Sequence, residues 1–315
     1  MRLPLLLFLL VLLSVPAADG ACIGVVGAGG GASFWRVIGE GAKAAGRELG
    51  VKVVYLTPQT ETDREGQLLL IERVMAKRCK ALVLAPNAPE RGRQVGEWQR
   101  QGLPVVFIDR SEPAAAPFSV VATDNYAAGR LAGEQIVRRL AGSGLRRVVL
   151  MRLQQGVQST DERERGVADR LRQAGLAVVA SPYLGTTVAS ARAASEQALR
   201  PLDGRFDAVF TPNETTTEGT LLTLQRLGLA GKVMMVGFDV NRRLFTAMRQ
   251  GSISLLILQR PFQMGYTAVT LAYRMLRGQT DAPRAIDSGV TLLTRENMDQ
   301  QEILYFSVYR GAAKP

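Results

Sequence analysis

The chain has 315 residues, 47% of them hydrophobic, with 39 basic against 28 acidic side chains for a net charge of +11, two cysteines and no histidine. The length suits two domains of roughly 120–150 residues, each able to bury its own core. The missing histidine excludes Ser-His-Asp and Cys-His nucleophile systems and histidine-ligated metals, and two cysteines far apart in sequence make a thiolate metal cluster implausible.

The N-terminus reads "MRLPLLLFLLVLLSVPAADGAC", with one arginine, an apolar run from Leu3 to Leu13, and Val15-Pro16-Ala17 as a small-x-small cleavage site. This predicts a signal peptide over residues 1–17, because the run is too short to cross ~30 Å of hydrocarbon. The mature protein is expected to be exported, soluble and periplasmic. Lipidation at Cys22 is disfavoured, since "DGAC" lacks an apolar residue three places before the cysteine.

Short apolar runs follow, alternating with helical patterns. The first set of strand candidates is "CIGVVG" (22–27), "VKVVYLT" (51–57), "ALVLAP" (81–86), "PVVFID" (104–109) and "FSVVATD" (118–124). The second is "RRVVLMR" (146–152), "LAVVASPYL" (176–184), "DAVFTPN" (207–213), "KVMMVGFD" (232–239) and "ISLLILQ" (253–259). Helical stretches such as "FWRVIGEGAKAAGRELG" and "AAGRLAGEQIVRRLAGSG" lie between them. Near-continuous Val/Ile/Leu strands alternating with helices indicate parallel sheets covered on both faces. A β-α-β-α-β unit starts at Cys22 and again at Arg146, so the fold class is α/β with two doubly wound, Rossmann-like lobes. The chain is expected to cross between lobes near 123–126, 259–262 and 290–293. That divides it into 18–123 plus 261–290 and 124–260 plus 291–315.

Cys22 opens the first strand and Cys79 immediately precedes the third. In a doubly wound sheet of order 2-1-3 these are parallel neighbours with both cysteines at the same end. A bridge there contributes roughly 4 kcal/mol in the loop-entropy model. Two buried free thiols are the alternative. The basic residues are scattered at one or two per helix without interleaved aromatics, which reads as a solvated surface and not as a nucleic-acid interface.

Ligands of open α/β sheets bind beyond the carboxyl ends of the strands. Those ends carry Asp109 followed by Arg110, then Thr123, Asn213, Asp239 and Gln259. Arg163 lies in the helix after the second lobe's first strand, and Phe34 and Trp35 follow the first glycine loop. Directed donors and acceptors beside aromatic faces suit a sugar, whose hydroxyls donate and accept while its C–H faces pack on rings. Taken singly, Asp109 and Asp239 read equally well as helix N-caps, and Asn213 and Thr123 as turn residues. In "GVVGAGGGASFW", Gly27, Gly29 and Ala32 fit the dinucleotide fingerprint G-x-G-x-x-A. The second strand nevertheless ends "VVYLTPQ", without the acid that would hold a ribose, and bulky Phe34 and Trp35 stand where a pyrophosphate needs close approach. No enzyme activity and no cofactor are expected.

"PVVFIDR", "ATDNYAAGRLAGE", "RERGVADRL", "VFTPNETTTEGTLLTLQRLG", "VMMVGFD", "LQRPFQMG" and "GVTLLTRENM" occur in an order and spacing that resembles the type I periplasmic binding proteins of the ribose- and galactose-binding class. That family shares its fold with the ligand domains of lac-repressor-type regulators, but here a signal peptide occupies the place of a DNA-binding domain. The resemblance implies two lobes joined by a three-segment hinge, closing on a monosaccharide or sugar derivative. It also implies a monomer that delivers its ligand to the permease of an ABC importer or, alternatively, presents its bound state to a membrane sensor kinase or chemoreceptor. By position it assigns ligand contacts to Phe34, Trp35, Asp109, Arg110, Thr123, Arg163, Asn213, Asp239 and Gln259. Three departures bear on ligand identity. Ala32 replaces an Asn two places before the aromatic pair, Ala85 replaces an Asn at the third strand's end with Asn87 two residues on, and an aromatic expected near Gly185 is absent.

Overall fold

The computed structural model describes residues 22–112 and 115–300; the segment read as a signal peptide lies outside them. In chain order the first elements are β1 (Cys22–Val26), α1 (Ser33–Leu49), β2 (Lys52–Leu56), α2 (Arg64–Ala76), β3 (Ala81–Leu84), α3 (Glu90–Arg100), β4 (Val105–Ile108) and β5 (Ser119–Ala122). There follow α4 (Asn125–Leu140), β6 (Arg147–Leu150), α5 (Gln158–Gln173), β7 (Ala177–Ala180), α6 (Val188–Leu199), a 3-10 turn at 200–202, β8 (Ala208–Phe210) and α7 (Glu214–Arg226). The last are β9 (Met234–Phe238), α8 (Arg242–Arg249), β10 (Leu255–Gln259), α9 (Pro261–Leu276), β11 (Ala285–Asp287) and β12 (Val290–Leu293).

The strands form two sheets, ordered β11-β5-β4-β3-β1-β2 and β12-β10-β9-β8-β6-β7. Every pairing is parallel except β10 with β12. The chain passes from one sheet to the other after β5, after β10 and between β11 and β12.

Alternation along each strand fills both faces. On β1, Ile23 and Val25 join the core under α1 and α9, while Cys22 and Val26 join the core under α2 and α3. On β8, Val209 points into one core of the second lobe and Ala208 and Phe210 into the other. Strands buried on both faces must be apolar at successive positions, which is the unbroken pattern of the sequence. Burying a side chain such as Phe107 or Phe210 fully contributes about 1.5–3 kcal/mol. Cys22 and Cys79 are joined in a disulfide with Cα atoms 4.2 Å apart, at the amino ends of β1 and β3 and so opposite the strand ends that face the other lobe. Among the described residues, no helix is long and apolar enough to cross a membrane.

The two lobes share a packing device. In the second, α4 and α5 approach until their backbones touch, and an added Cβ at Gly129 or Gly166 would collide with the carbonyl oxygen of Arg163 or Tyr126. In the first, Gly41 and Gly265 play the same reciprocal roles between α1 and α9. β11 and β12 have no counterpart among the strands predicted from sequence. They are three and four residues long and mostly half-buried or exposed, too short for AID and VTLL to stand out as strands.

Candidate functional site

The carboxyl ends of both sheets face each other across a cleft, and the polar strand ends converge there. Asp109 follows β4 and Asp239 follows β9, both with left-handed backbone (φ 66° and 63°). Their surroundings match. The Asp109 amide donates to the Val121 carbonyl at 3.0 Å and the Asp239 amide to the Ile257 carbonyl at 2.9 Å, in each case one strand over. Left-handed backbone costs a non-glycine residue of order 1–3 kcal/mol, least for Asn and Asp, and such conformations cluster where side chains must be aimed. Neither aspartate is the N-cap of the helix that follows its strand, although Asp239 Oδ2 accepts from the Glu214 amide at the start of α7 at 3.2 Å. Asn241 caps α8, accepting from the Leu244 amide at 3.0 Å.

A cavity of about 20 Å³ sits between these ends. Phe34, Trp35, Asp109, Arg110, Arg163, Asn213, Asp239 and Gln259 all line it. Thr123, expected among the ligand contacts, does not. Its hydroxyl donates to Gln259 Oε1 at 3.1 Å and lies 3.5 Å from Ser288 Oγ, so it ties the three inter-lobe passages together. Asn213 lines the cavity and also caps α7, accepting from the Thr216 amide at 3.1 Å.

Two buried arginines anchor the two halves. Arg110 donates to Asp109 Oδ2 at 2.7 Å and to Glu61 Oε2 at 3.0 Å, and its guanidinium lies 5.6 Å from the Trp35 ring centre. Burial works against its charge, but the two carboxylates outweigh that and hold its pKa above the usual arginine value. Arg163 donates to Asn125 Oδ1 (2.8 Å), the Pro212 carbonyl (2.8 Å) and Gln259 Oε1 (2.6 Å), with its plane over Phe238. Burial shifts its pKa downwards, partly offset by Asp239. Gln259 completes the chain by donating to Asp239 Oδ1 at 2.9 Å. Burial pushes the Asp239 carboxyl up to about 7, against the pull of Arg163.

Four further lining residues were not singled out from the sequence: Glu61, Ser159, Thr160 and Glu214. Glu61 lies beyond β2 in a loop and accepts from Trp35 Nε1 at 3.3 Å. Glu214 directly follows Asn213, and that adjacency to a strand end was the available signal. Its carboxylate crosses the cleft, accepting from the Ser33 amide (3.1 Å), the Phe34 amide (3.2 Å) and the Ser33 hydroxyl (2.8 Å). Ala32, at the N-cap of α1, supplies no side-chain hydrogen bond, so the other lobe caps this helix. Asn87 does not replace the asparagine missing at Ala85. It does not line the cavity, and its amide donates to the Asp63 carbonyl at 3.0 Å.

The lining carries four carboxylates (Glu61, Asp109, Glu214, Asp239) against two guanidinium groups, a local acidic excess in a chain of net charge +11. Among the described residues, no group of three or more acidic or thiol side chains is placed to hold a metal ion.

Residues 23–280 match a family described as "Periplasmic binding protein domain". The chain is 28% identical over 247 residues to "Ribose import binding protein RbsB" of Haemophilus influenzae, covering 78% of this chain and 82% of that protein. The periplasmic component of an ABC-type sugar transport system from Hahella chejuensis superposes with a TM-score of 0.82 at 34% identity, over 87% of this chain and 99% of that one. A carbohydrate transporter solute-binding protein from Agrobacterium radiobacter, solved with D-arabinose, superposes with a TM-score of 0.82 at 27% identity, over 91% and 98%. With the matched segment spanning most of the chain and both lobes reproduced in these structures, the protein belongs to the periplasmic binding protein domain family.

Proposed function

We propose that this protein captures an uncharged sugar between its two lobes in the periplasm and delivers it to the permease of an ABC importer, after removal of the leader over residues 1–17. The observation that carries the reading is the convergence of Asp109 with Arg110 from one lobe and Arg163, Asp239 and Gln259 from the other on one cavity. Buried carboxylates accept from sugar hydroxyls, and the arginines and Gln259 hold those carboxylates in fixed directions. Phe34 and Trp35, edge-to-face with ring centres 5.1 Å apart, offer apolar surface for C–H groups. The excess of carboxylates repels sugar acids and sugar phosphates and favours a neutral polyol. The sugar transport relatives and the arabinose-bound neighbour support the same ligand class and the import partner.

Mechanistically, the cavity between the lobes has room for about one water, so a ligand enters only when the lobes part. Reclosure then brings both polar half-sites onto the ligand and excludes water, which strengthens each contact. A thermal-shift screen of free aldopentoses and aldohexoses, followed by calorimetry, tests the reading. At least one neutral sugar is expected to bind while its uronic acid and phosphate do not. Arg163→Ala and Asp239→Ala are expected to weaken binding by more than about tenfold with circular dichroism unchanged. Unaltered affinity in both folded variants would remove these residues from the site.

A further inference from the structure

A second cavity, about 130 Å³ against about 20 Å³, adjoins the first, and Ala32, Trp35 and Glu61 line both. Its walls come from both lobes: Gly31, Gln59 and Thr60 on one side, and Thr186, Thr187 and Thr215 on the other. Two of the sequence departures lie at this place. Ala32 has no polar reach, and Gly185, with φ 76°, puts no side chain beside Thr186. Tyr183, the aromatic two residues earlier, lies instead against Arg152, whose guanidinium is 4.2 Å from its ring centre. A Cβ built at Gly31 meets nothing within 4 Å.

We propose that this annex is a second subsite, and that the ligand is a neutral sugar carrying an uncharged O-glycosidic substituent, such as a second sugar ring, that occupies it. The inference rests on the sugar-binding reading above. The chemistry of the walls selects the class. Four threonine hydroxyls (Thr60, Thr186, Thr187, Thr215) and the Gln59 amide line it. Thr60 pairs with Thr62, Thr215 with Asn213 and Thr187 with Ser190 at the start of α6, yet each of these hydroxyls keeps an acceptor lone pair for a sugar hydroxyl, and the Gln59 amide both donates and accepts. Trp35, shared by both cavities, offers an apolar edge where the two rings would meet. Glu61 is the one charged side chain lining the annex, which excludes an anionic substituent. Both lobes contribute walls, so a substituent held here adds contacts made only on closure. A bare monosaccharide admitted to the strand ends when the lobes part leaves these walls to water.

The test is calorimetric titration of the full mature chain with free pentoses and hexoses and with their neutral O-glycosides, including disaccharides. At least one glycoside is expected to bind more than about tenfold tighter than its parent sugar. Gly31→Leu fills the annex from one lobe and Thr186→Leu from the other. Each is expected to abolish that advantage while leaving the parent sugar's affinity within about twofold. Free sugars binding as tightly as every glycoside, or glycoside affinity indifferent to both substitutions, overturns the annex and leaves the sugar reading standing. If no sugar binds in either form, both readings fall.

Discussion

Asp239 shows how one residue sets a pH dependence. Its carboxyl is buried, opposed by Asp109 and Glu214, and titrates near 7 in the folded chain against an ordinary value of 3.8. A raised acid pKa means the folded state holds the proton more tightly than the unfolded state. The stability linked to that proton is fully present below about pH 4 and is lost as pH rises towards 7. The loss is at most on the order of 4 kcal/mol. Asp239→Asn removes the titration and keeps an acceptor for Gln259 or the Glu214 amide. The melting temperature of this variant relative to the parent is therefore expected to climb from about pH 4 to about pH 7 and then level off in thermal denaturation. A constant difference across that range would mean that Asp239 stays ionised when folded. The placement of Asp239 at a strand end facing the cleft was legible in sequence, because strand termini of a doubly wound sheet line the cleft. Glu61 was not: it sits in a loop beyond β2, and only the fold brings it to Arg110.

At the level of elements, the site depends on how closely helices pack. Arg163 reaches Gln259 because α5 lies in backbone contact with α4, and that approach exists because Gly129 and Gly166 have no side chains. A methyl group at Gly129 meets main-chain atoms of Arg163, which cannot rotate away. Gly129→Ala is therefore expected to destabilise the protein by about 1–3 kcal/mol in chemical denaturation. It should also weaken sugar binding, because the displaced helix carries Arg163. Loss of stability with intact affinity would show that Arg163 is positioned by its own hydrogen bonds and not by the helix contact. The long helices and the doubly buried strands were visible as periodicity in the sequence. The two short strands β11 and β12 were not, since three and four residues are too few to show a period and their pairing is set by the neighbours they complete.

For the whole molecule the question is what holds two lobes together across a cleft rich in carboxylates. Thr123, Gln259 and Ser288 join the three chain passages at the hinge, but a hinge alone does not choose between open and closed. Direct contacts across the cleft do. The Ser111 amide donates to Gln158 Oε1 at 3.0 Å, and Glu214 caps α1 from the opposite lobe. A carboxylate at a helix N-terminus contributes about 0.3–1 kcal/mol when exposed and up to ~2 kcal/mol when partly buried. Glu214 is 6% exposed and accepts three hydrogen bonds from the facing lobe, so its contribution belongs at the upper end. A difference of that size shifts an open–closed equilibrium by more than tenfold. Glu214→Ala should therefore raise the radius of gyration measured by small-angle scattering without sugar, and saturating sugar should restore the compact value, because the ligand contacts proposed at Asp109 and Asp239 would close the cleft independently. An unchanged radius in the absence of sugar would assign closure to the hinge and the Ser111 contact, and leave Glu214 only the local task of satisfying the first turn of α1.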